Sequence, residues 1–228
     1  MCRFFAFAAC LAFVGVANGQ TIIFDNLGPG GPSNINNMLA SDRAAFIPIE
    51  HVDDIILPVS TLITGVNFTG TYVAGGDDAF VPAALDNFEI RIFNDAGGTP
   101  GTLAQSFNVG SNVSRVNSGV TLSVGATTAD VFSYSAPINF TFTGGNTFYI
   151  SILNNTLGDL DTFAVGAVQG PGGNALADFN IAGNFIPVAS GAEIDFQLTS
   201  TTAVPEPGSG LALIAFGCLA FRRRRRVR

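Results

Sequence analysis

Apolar and polar residues alternate with a period of two along much of this chain. Residues 88–92 place three apolar side chains on one face and two charged ones on the other, and residues 193–198 repeat the arrangement. Such alternation is typical of a β-strand with one buried face. Glycine- and proline-rich segments, such as 97–101 and 170–173, fall between these runs as turns do. The pattern predicts an all-β fold, an antiparallel β-sandwich of jelly-roll-like type.

The predicted strands are rich in Phe, Ile, Val and Thr, the residues that strands prefer. No stretch shows sustained helical periodicity, and only residues 34–40 indicate one short helical turn. Pro137 is expected to separate two strands, because proline cannot donate a hydrogen bond to a strand ladder. The predicted strands are 21–24, 54–57, 62–68, 88–92, 102–109, 120–124, 131–135, 139–142, 148–152 and 193–198.

The N-terminus has the three parts of a signal peptide. Arg3 precedes the apolar run 4–16, and the small-x-small triplet 17–19 follows it. The run is too short to span a bilayer comfortably. We therefore expect export through the Sec machinery and cleavage after Gly19. A retained signal anchor and a lipoprotein at Cys10 are the alternatives, and the apolar run continues past that cysteine.

The C-terminus combines a Pro-Glu-Pro segment, an apolar stretch and an arginine cluster. The 14 uncharged residues 208–221 would form a membrane helix of only about 21 Å, against a hydrocarbon core of about 30 Å. Arginine side chains can snorkel and ease this shortfall, and positive flanks stay cytoplasmic. The domain would therefore face outward. The residues of this candidate sorting signal are Pro205, Glu206, Pro207, Arg222, Arg223, Arg224, Arg225 and Arg226.

This order of parts at the end of the chain resembles the PEP-CTERM sorting domain. The resemblance implies an exported protein of a Gram-negative-type bacterium that makes extracellular polysaccharide. It also implies a transient hold in the inner membrane and processing by an exosortase-like membrane enzyme. The alternative is a plain tail anchor. The expected organisation is a signal peptide over 1–19, a β-sandwich domain over 20–198, a short linker over 199–203 and the sorting signal over 204–228.

The central region is similar to exported bacterial β-domains of the choice-of-anchor kind. The similarity lies in residues 53–58, 64–66, 90–93 and 98–101. These residues are mostly strand and turn residues, and the biochemical role of those domains is generally unassigned. The similarity therefore supports the fold rather than a function.

Charge and cysteine content exclude several classes of function. Residues 20–204 contain three Arg, no Lys and 16 acidic residues, so their formal charge is 3 − 16 = −13. Nucleic-acid binding needs the opposite sign, and we expect no nucleic-acid partner. Cys2, Cys10 and Cys218 all lie in the terminal apolar segments. The mature domain would contain no disulfide, no catalytic thiolate and no cysteine zinc ligand.

Catalytic constellations are not evident, and we expect no enzymatic activity. His51 is the single histidine, and its place in a predicted loop before a strand favours a surface residue. A serine triad would need a nucleophile and a carboxylate around it, and no Gly-x-Ser-x-Gly elbow occurs. A glycosidase needs two carboxylates about 5 to 10 Å apart, which 16 acids could provide by chance.

Two binding functions stay open for the β domain. Calcium needs clustered oxygen ligands, and paired acids occur at 53–54, 77–78 and 159/161, although none has the EF-hand spacing. Polar turns give the same pattern. We expect no cofactor, with calcium as the one candidate. The tyrosines that could contact a sugar are Tyr72, Tyr134 and Tyr149.

The sequence thus predicts a non-enzymatic protein of the cell surface or extracellular matrix. The alternative is a carbohydrate-binding module, calcium-dependent or not, that acts on the exopolysaccharide matrix.

Overall fold

A computed structural model describes residues 18–26, 35–45, 47–73, 85–124, 127–156, 161–169, 174–188 and 191–203. Residues Thr21–Ser200 form one compact unit, and its fold is described below. The predicted apolar run 4–16 and the sorting signal 204–228 lie outside the described residues. None of the residues that are described belongs to a helix long and apolar enough to cross a membrane.

The described residues form strands and turns without an α-helix, which confirms the predicted all-β class. The strands are β1 (Asn18–Asp25), β2 (Asn37–Ala40), β3 (Ile49–Ile56), β4 (Thr61–Val73), β5 (Phe88–Asp95), β6 (Pro100–Gly110), β7 (Ser114–Val124), β8 (Thr127–Phe142), β9 (Thr147–Leu153), β10 (Thr162–Gln169), β11 (Leu176–Phe179), β12 (Phe185–Pro187), β13 (Ala192–Ile194) and β14 (Phe196–Ala203).

The strands form two sheets. Sheet A has eight strands in the order β1-β14-β4-β10-β13, with β2 beside β10 and with β8 joining β7 to β4. Sheet B has six strands in the order β12-β11-β3-β9-β5-β6. The strand pairs with a defined register are antiparallel, as the alternation predicted.

Aromatic side chains from both sheets meet in one hydrophobic core. Phe68 of β4 and Phe88 of β5 come from different sheets, and their rings meet edge to face with centroids 5.2 Å apart. Phe163 of β10 contacts Phe88 at 4.9 Å in the same geometry. Each such pair adds about 0.5–1.5 kcal/mol beyond the area that it buries. A core shared by two antiparallel sheets is the arrangement that a sandwich requires.

Strand β8 corrects the predicted break at Pro137. The strand runs without interruption from Thr127 to Phe142 and includes the proline. Pro137 lies opposite Gly65, where the register of β4 shifts between Ile63 and Gly65. A bulge disrupts the local ladder, so the missing proline N–H costs little there.

Other segments differ from the sequence expectation because tertiary pairing decides them. Residues Asn37–Ala40, expected in a helical turn, form β2 and pair with β10. The alternating run 193–198 is divided at Asp195, where the chain changes from pairing with β10 to pairing with β4. Strands β10, β11 and β12 were not predicted.

Strand β14 extends further than the predicted domain boundary. Residues 199–203, which the sequence pattern assigned to a linker, form the second half of this strand. Thr199 and Ser200 are buried, and Thr199 pairs with Gly65 of β4. The compact unit therefore includes Thr199 and Ser200, and strand β14 itself runs to Ala203.

Candidate functional site

Sheet B has a second, smaller apolar cluster on the face turned away from the shared core. Val52, Phe93, Tyr149 and Leu176 form it. The strand neighbours of these residues, such as Ile150, belong to the shared core instead. Because successive side chains of a strand point to opposite faces, the cluster lies on the outer face of sheet B.

A groove of about 520 Å³ opens at one end of this outer face. Its volume falls within the roughly 300–1,000 Å³ typical of small-ligand sites. Polar groups from four chain segments converge on it, and Leu176 adds an apolar surface. The other residues that line the groove are Asp54, Asp95, Gly98, Thr147, Tyr149, Asn174 and Pro187.

Tyr149 is a buried residue of the groove lining and forms part of its floor. It pairs with Asp54 of β3 on one side and with Phe93 of β5 on the other. Only 5% of the surface of Tyr149 is exposed to solvent, so a ligand cannot stack on the face of its ring. Burial, followed by the charges of Asp95 and Asp54, raises the pKa of Tyr149 to about 12. The phenol therefore stays protonated at neutral pH and is a hydrogen-bond donor.

Two carboxylates, Asp54 and Asp95, line the groove, and each is held by hydrogen bonds from neighbouring groups. Asp95 accepts the backbone N–H groups of Gly97 and Gly98 at 3.1 and 2.8 Å, which fixes the β5–β6 turn. Asp54 accepts a hydrogen bond from the side-chain amide of Asn174. A carboxylate offers about four lone-pair sites, so both groups keep acceptor capacity toward the groove.

A buried polar row adjoins the groove on the same outer face. Glu50 of β3 forms an ion pair with Arg91 of β5. In the register of the strands, Glu50 lies opposite Asp178 of β11. Burial raises the pKa of Glu50, and the Arg91 charge opposes this shift. The guanidinium of Arg91 also lies 4.9 Å from the ring centroid of Phe93.

A second cavity lies near Arg43, Asn87 and Asn155 and measures about 150 Å³. The Arg43–Glu89 ion pair, 2.5 Å between Nη2 and Oε2, borders it. This volume is below the range of typical small-ligand sites. The larger groove is therefore the better candidate for a binding site.

His51 is not the surface loop residue that the sequence indicated. It lies inside β3, is only 5% exposed and has Nδ1 2.7 Å from the carbonyl oxygen of Ala40. Burial lowers the pKa of His51 to about 4, although this hydrogen bond opposes the shift. The imidazole is neutral at physiological pH and connects β3 to the end of β2.

The acid pair at positions 53 and 54 does not converge on one point. Asp53 and Asp54 are neighbours in β3, so their side chains point to opposite faces of sheet B. The other predicted acid pairs lie outside the described residues, apart from Asp161. Within the ranges that the structure describes, no group of three or more His, Cys, Asp or Glu side chains is arranged to hold a metal ion.

Two of the three tyrosines expected at a sugar-binding surface belong to the core. Tyr72 and Tyr134 are 6% and 2% exposed. The hydroxyl of Tyr72 donates to Asp86 at 2.6 Å, and the Tyr134 ring stacks on Phe68 with centroids 5.0 Å apart. Of the three, only Tyr149 lines the groove.

The sequence pattern does not mark Asp95, Thr147 or Asn174 as site residues. Strand alternation places Asp54 and Tyr149 on one face, but it does not show that β3 and β9 are neighbours. Asn174 precedes β11, a strand that the sequence pattern did not reveal. The groove therefore depends on pairings that only the folded structure supplies.

Comparison with known protein families finds a PEP-CTERM protein-sorting motif at residues 203–226. This match confirms the resemblance of the C-terminal segment and identifies an exported protein directed to exosortase-type processing. The motif begins at the last residue of β14. The proposed signal residues, from Pro205 to Arg226, lie within the match but outside the described residues. No curated protein and no solved structure gives a significant match to the chain.

Proposed function

We propose that this chain is a non-enzymatic protein of the cell surface or extracellular matrix, held briefly in the inner membrane and then processed at its C-terminus. The PEP-CTERM motif at residues 203–226 is the observation that carries the proposal. The proposed partners are the Sec machinery at the N-terminus and an exosortase-like enzyme at the C-terminus.

The residues of the motif suit a tail that is first held in the membrane and is then cleaved. Pro205 and Pro207 lack backbone N–H groups and favour an extended segment, the form in which protease clefts usually bind a chain. The apolar residues 208–221 would enter the membrane, and the arginines after them would stay on the cytoplasmic side. The segment would hold the domain on the outer side until the cut.

The position of β14 is consistent with a cut in the sorting signal that leaves the fold intact. The strand pairs with β4 through residues Phe196–Thr199 and ends at Ala203. A cut within or after the Pro-Glu-Pro segment leaves every residue of this strand in the mature protein. The core residues Phe196 and Leu198 are therefore kept, and the processed domain retains its fold.

The chemistry of the described residues favours a binding or structural role for the β domain. His51 is buried and neutral, with its Nδ1 bonded to a backbone carbonyl. A general base must instead be within hydrogen-bond reach of a substrate. The groove offers carboxylates, hydroxyls and an amide around a preformed space, which suits recognition of a ligand.

Cell fractionation tests this proposal. An epitope tag inserted in the exposed Ser111-Asn112 turn between β6 and β7 would allow the protein to be followed without changing either terminus or the groove. We expect the wild-type protein in the envelope or medium, and a Glu206→Ala variant retained in the inner membrane. A conservative change outside the motif, Asp130→Asn, should leave the distribution as in the wild type. A mature protein in the cytosol would contradict the proposal.

The second candidate function is a carbohydrate-binding module of the exopolysaccharide matrix, either calcium-dependent or calcium-independent. The groove of about 520 Å³ on sheet B favours it, because its polar rim and apolar wall match the mixed surface of a sugar. Measuring the binding of the purified protein to matrix polysaccharide, with and without a chelator, tests this candidate.

A further inference from the structure

The groove on the outer face of sheet B has a distinct electrostatic character. Asp54 and Asp95 contribute two carboxylates, and no basic side chain in the described part of the chain lines the groove. The arginines of the described domain lie elsewhere, and each pairs with an acid: Arg43 with Glu89, Arg91 with Glu50, and Arg115 with Asp86. The groove therefore repels anions and accepts neutral or cationic ligands.

The arrangement of hydrogen-bonding groups favours a ligand with several hydroxyls. Carboxylates accept two hydrogen bonds in one plane, and the spare lone pairs of Asp54 and Asp95 can accept from neighbouring hydroxyl groups. Thr147 adds a hydroxyl that can donate or accept, and the Asn174 amide is held beside Asp54. Such convergent groups fix the orientation of a small polar ligand.

The apolar contribution comes from an aliphatic wall. Tyr149 is buried in the floor, so a sugar ring cannot stack on its face. Pro187 is exposed at the rim, and Leu176 continues the apolar surface beneath it. A sugar would place its C–H groups against this wall and direct its hydroxyls toward the carboxylates.

We propose that this groove binds a sugar unit without acidic groups, either neutral or carrying an amine, and discriminates against uronic acids. The inference rests on the second candidate function and adds the site and the ligand class. Binding is direct, because among the described residues only two carboxylates line the groove and calcium needs about six to eight oxygen ligands.

The test uses the full chain purified in mild detergent and three oligosaccharides of equal length. These are a neutral hexose oligomer, an amino-sugar oligomer with free amines, and a uronic-acid oligomer. Calorimetric titration should show binding of the neutral and amino sugars, with the amino sugar weakened by added salt. The uronic-acid oligomer should not bind, and a chelator should change nothing.

Variants locate the binding within the groove. Asp54→Asn and Asp95→Asn should each weaken amino-sugar binding by roughly tenfold or more, the loss expected for one hydrogen bond to a charged group. Thr147→Arg should abolish binding of both sugars, since its guanidinium would fill the groove and pair with the carboxylates. Asp130→Asn, the same charge change on sheet A, is the matched control and should bind as the wild type does. Circular dichroism would verify that each variant is folded.

Four outcomes would overturn the inference. Wild-type affinity in the folded Thr147→Arg variant would show that sugar binds elsewhere, while leaving a carbohydrate-binding function intact. Equal or tighter binding of the uronic-acid oligomer, or loss of binding with chelator, would refute direct recognition by the carboxylates. Absence of binding to all three oligosaccharides would refute both the site and the second candidate function, but not the export and processing of the chain.

Discussion

The Oδ2 atom of Asp53 lies 2.7 Å from the backbone nitrogen of Ile194 and connects the two sheets. Asp53 belongs to β3 of sheet B, and Ile194 belongs to β13 of sheet A. The side-chain amide of Asn26 donates to the same oxygen at 3.3 Å. The carboxyl group is fully buried. A polar contact thus joins β3, an interior strand of sheet B, to β13, the last strand in the order of sheet A.

This buried carboxyl group makes stability depend on pH. Burial, and then the neighbouring Glu193 carboxylate, raise the pKa of Asp53 from 3.8 to about 9, although the N–H groups of Ile194 and Asp54 oppose the shift. Between these values the folded protein binds more protons at this site than the unfolded chain does. This group's contribution to stability is therefore present at low pH and is lost as the pH rises through the window.

We expect Asp53→Asn to remove this contribution. The free energy of unfolding of the wild type should fall, relative to the variant, by up to about 1.4 kcal/mol per pH unit between about pH 5 and pH 8. Denaturant titrations of both proteins across that range measure the difference. Asp54→Asn, on the opposite face of the same strand, is the control. Parallel pH profiles for the wild type and Asp53→Asn would contradict this account.

Asp42 is expected to be intolerant of even a conservative substitution. Its buried carboxylate accepts the backbone N–H groups of Ala44 and Phe163 at 2.8 and 2.9 Å, and of Thr156 at 3.3 Å. In Asp42→Asn an amide N–H₂ would face one of these donors. We expect a loss of about 2–3 kcal/mol in the free energy of unfolding.

Chemical denaturation of Asp42→Asn checks this expectation. Asp130→Asn, whose carboxylate accepts from Asn117 in an exposed setting, should change stability by no more than about 0.5 kcal/mol. Equal stability of the two variants would mean that the three backbone bonds of Asp42 contribute little.

Gly70 makes room for an aromatic ring. A Cβ atom added at this position would lie 2.4 Å from Cζ and 2.5 Å from Cε2 of Phe163. Gly70→Ala should therefore destabilise the protein by about 1–3 kcal/mol through overpacking. The same substitution should cost less in a Phe163→Leu background, where those ring atoms are absent. A double-mutant cycle measures this coupling, and strict additivity would refute the steric explanation.

The sequence predicted the structure well in segments whose conformation depends on the pattern of residues adjacent along the chain. Strands such as β5 and β9 alternate regularly, and their positions agree with the pattern. Alternation did not reveal β11, a four-residue strand whose first three residues are buried on both faces. It also misassigned His51, because only the pairing of β3 between β9 and β11 places that residue inside.

The groove could be predicted only in part. Period-two alternation explains why Asp53 and Asp54 serve different purposes, one between the sheets and one at the groove rim. The meeting of Asp54, Tyr149 and Asp95 depends on the order β3-β9-β5, which no local pattern encodes. The sorting signal shows the opposite case, because its parts are contiguous and need no tertiary structure to be recognised.

Substitutions in the two halves of the sorting signal should place the protein in different cell fractions. An arginine at the membrane centre costs at least roughly 2.5 kcal/mol on insertion scales, so the arginine cluster keeps the short apolar segment from slipping through. Replacing Arg222, Arg223, Arg224, Arg225 and Arg226 by Ser should release an unprocessed protein that keeps Phe221. Glu206→Ala should leave an uncut precursor in the membrane. Finding both variants in the same fraction would contradict this division of roles.

The most direct test of the central claim is the mass of the C-terminal peptide of the wild-type protein recovered from the envelope or medium. Processing at the sorting motif predicts a peptide that contains Ala203, the last residue of β14, and lacks Arg228. A mature protein that still carries Arg228 would contradict the account and would identify the tail as a permanent membrane anchor.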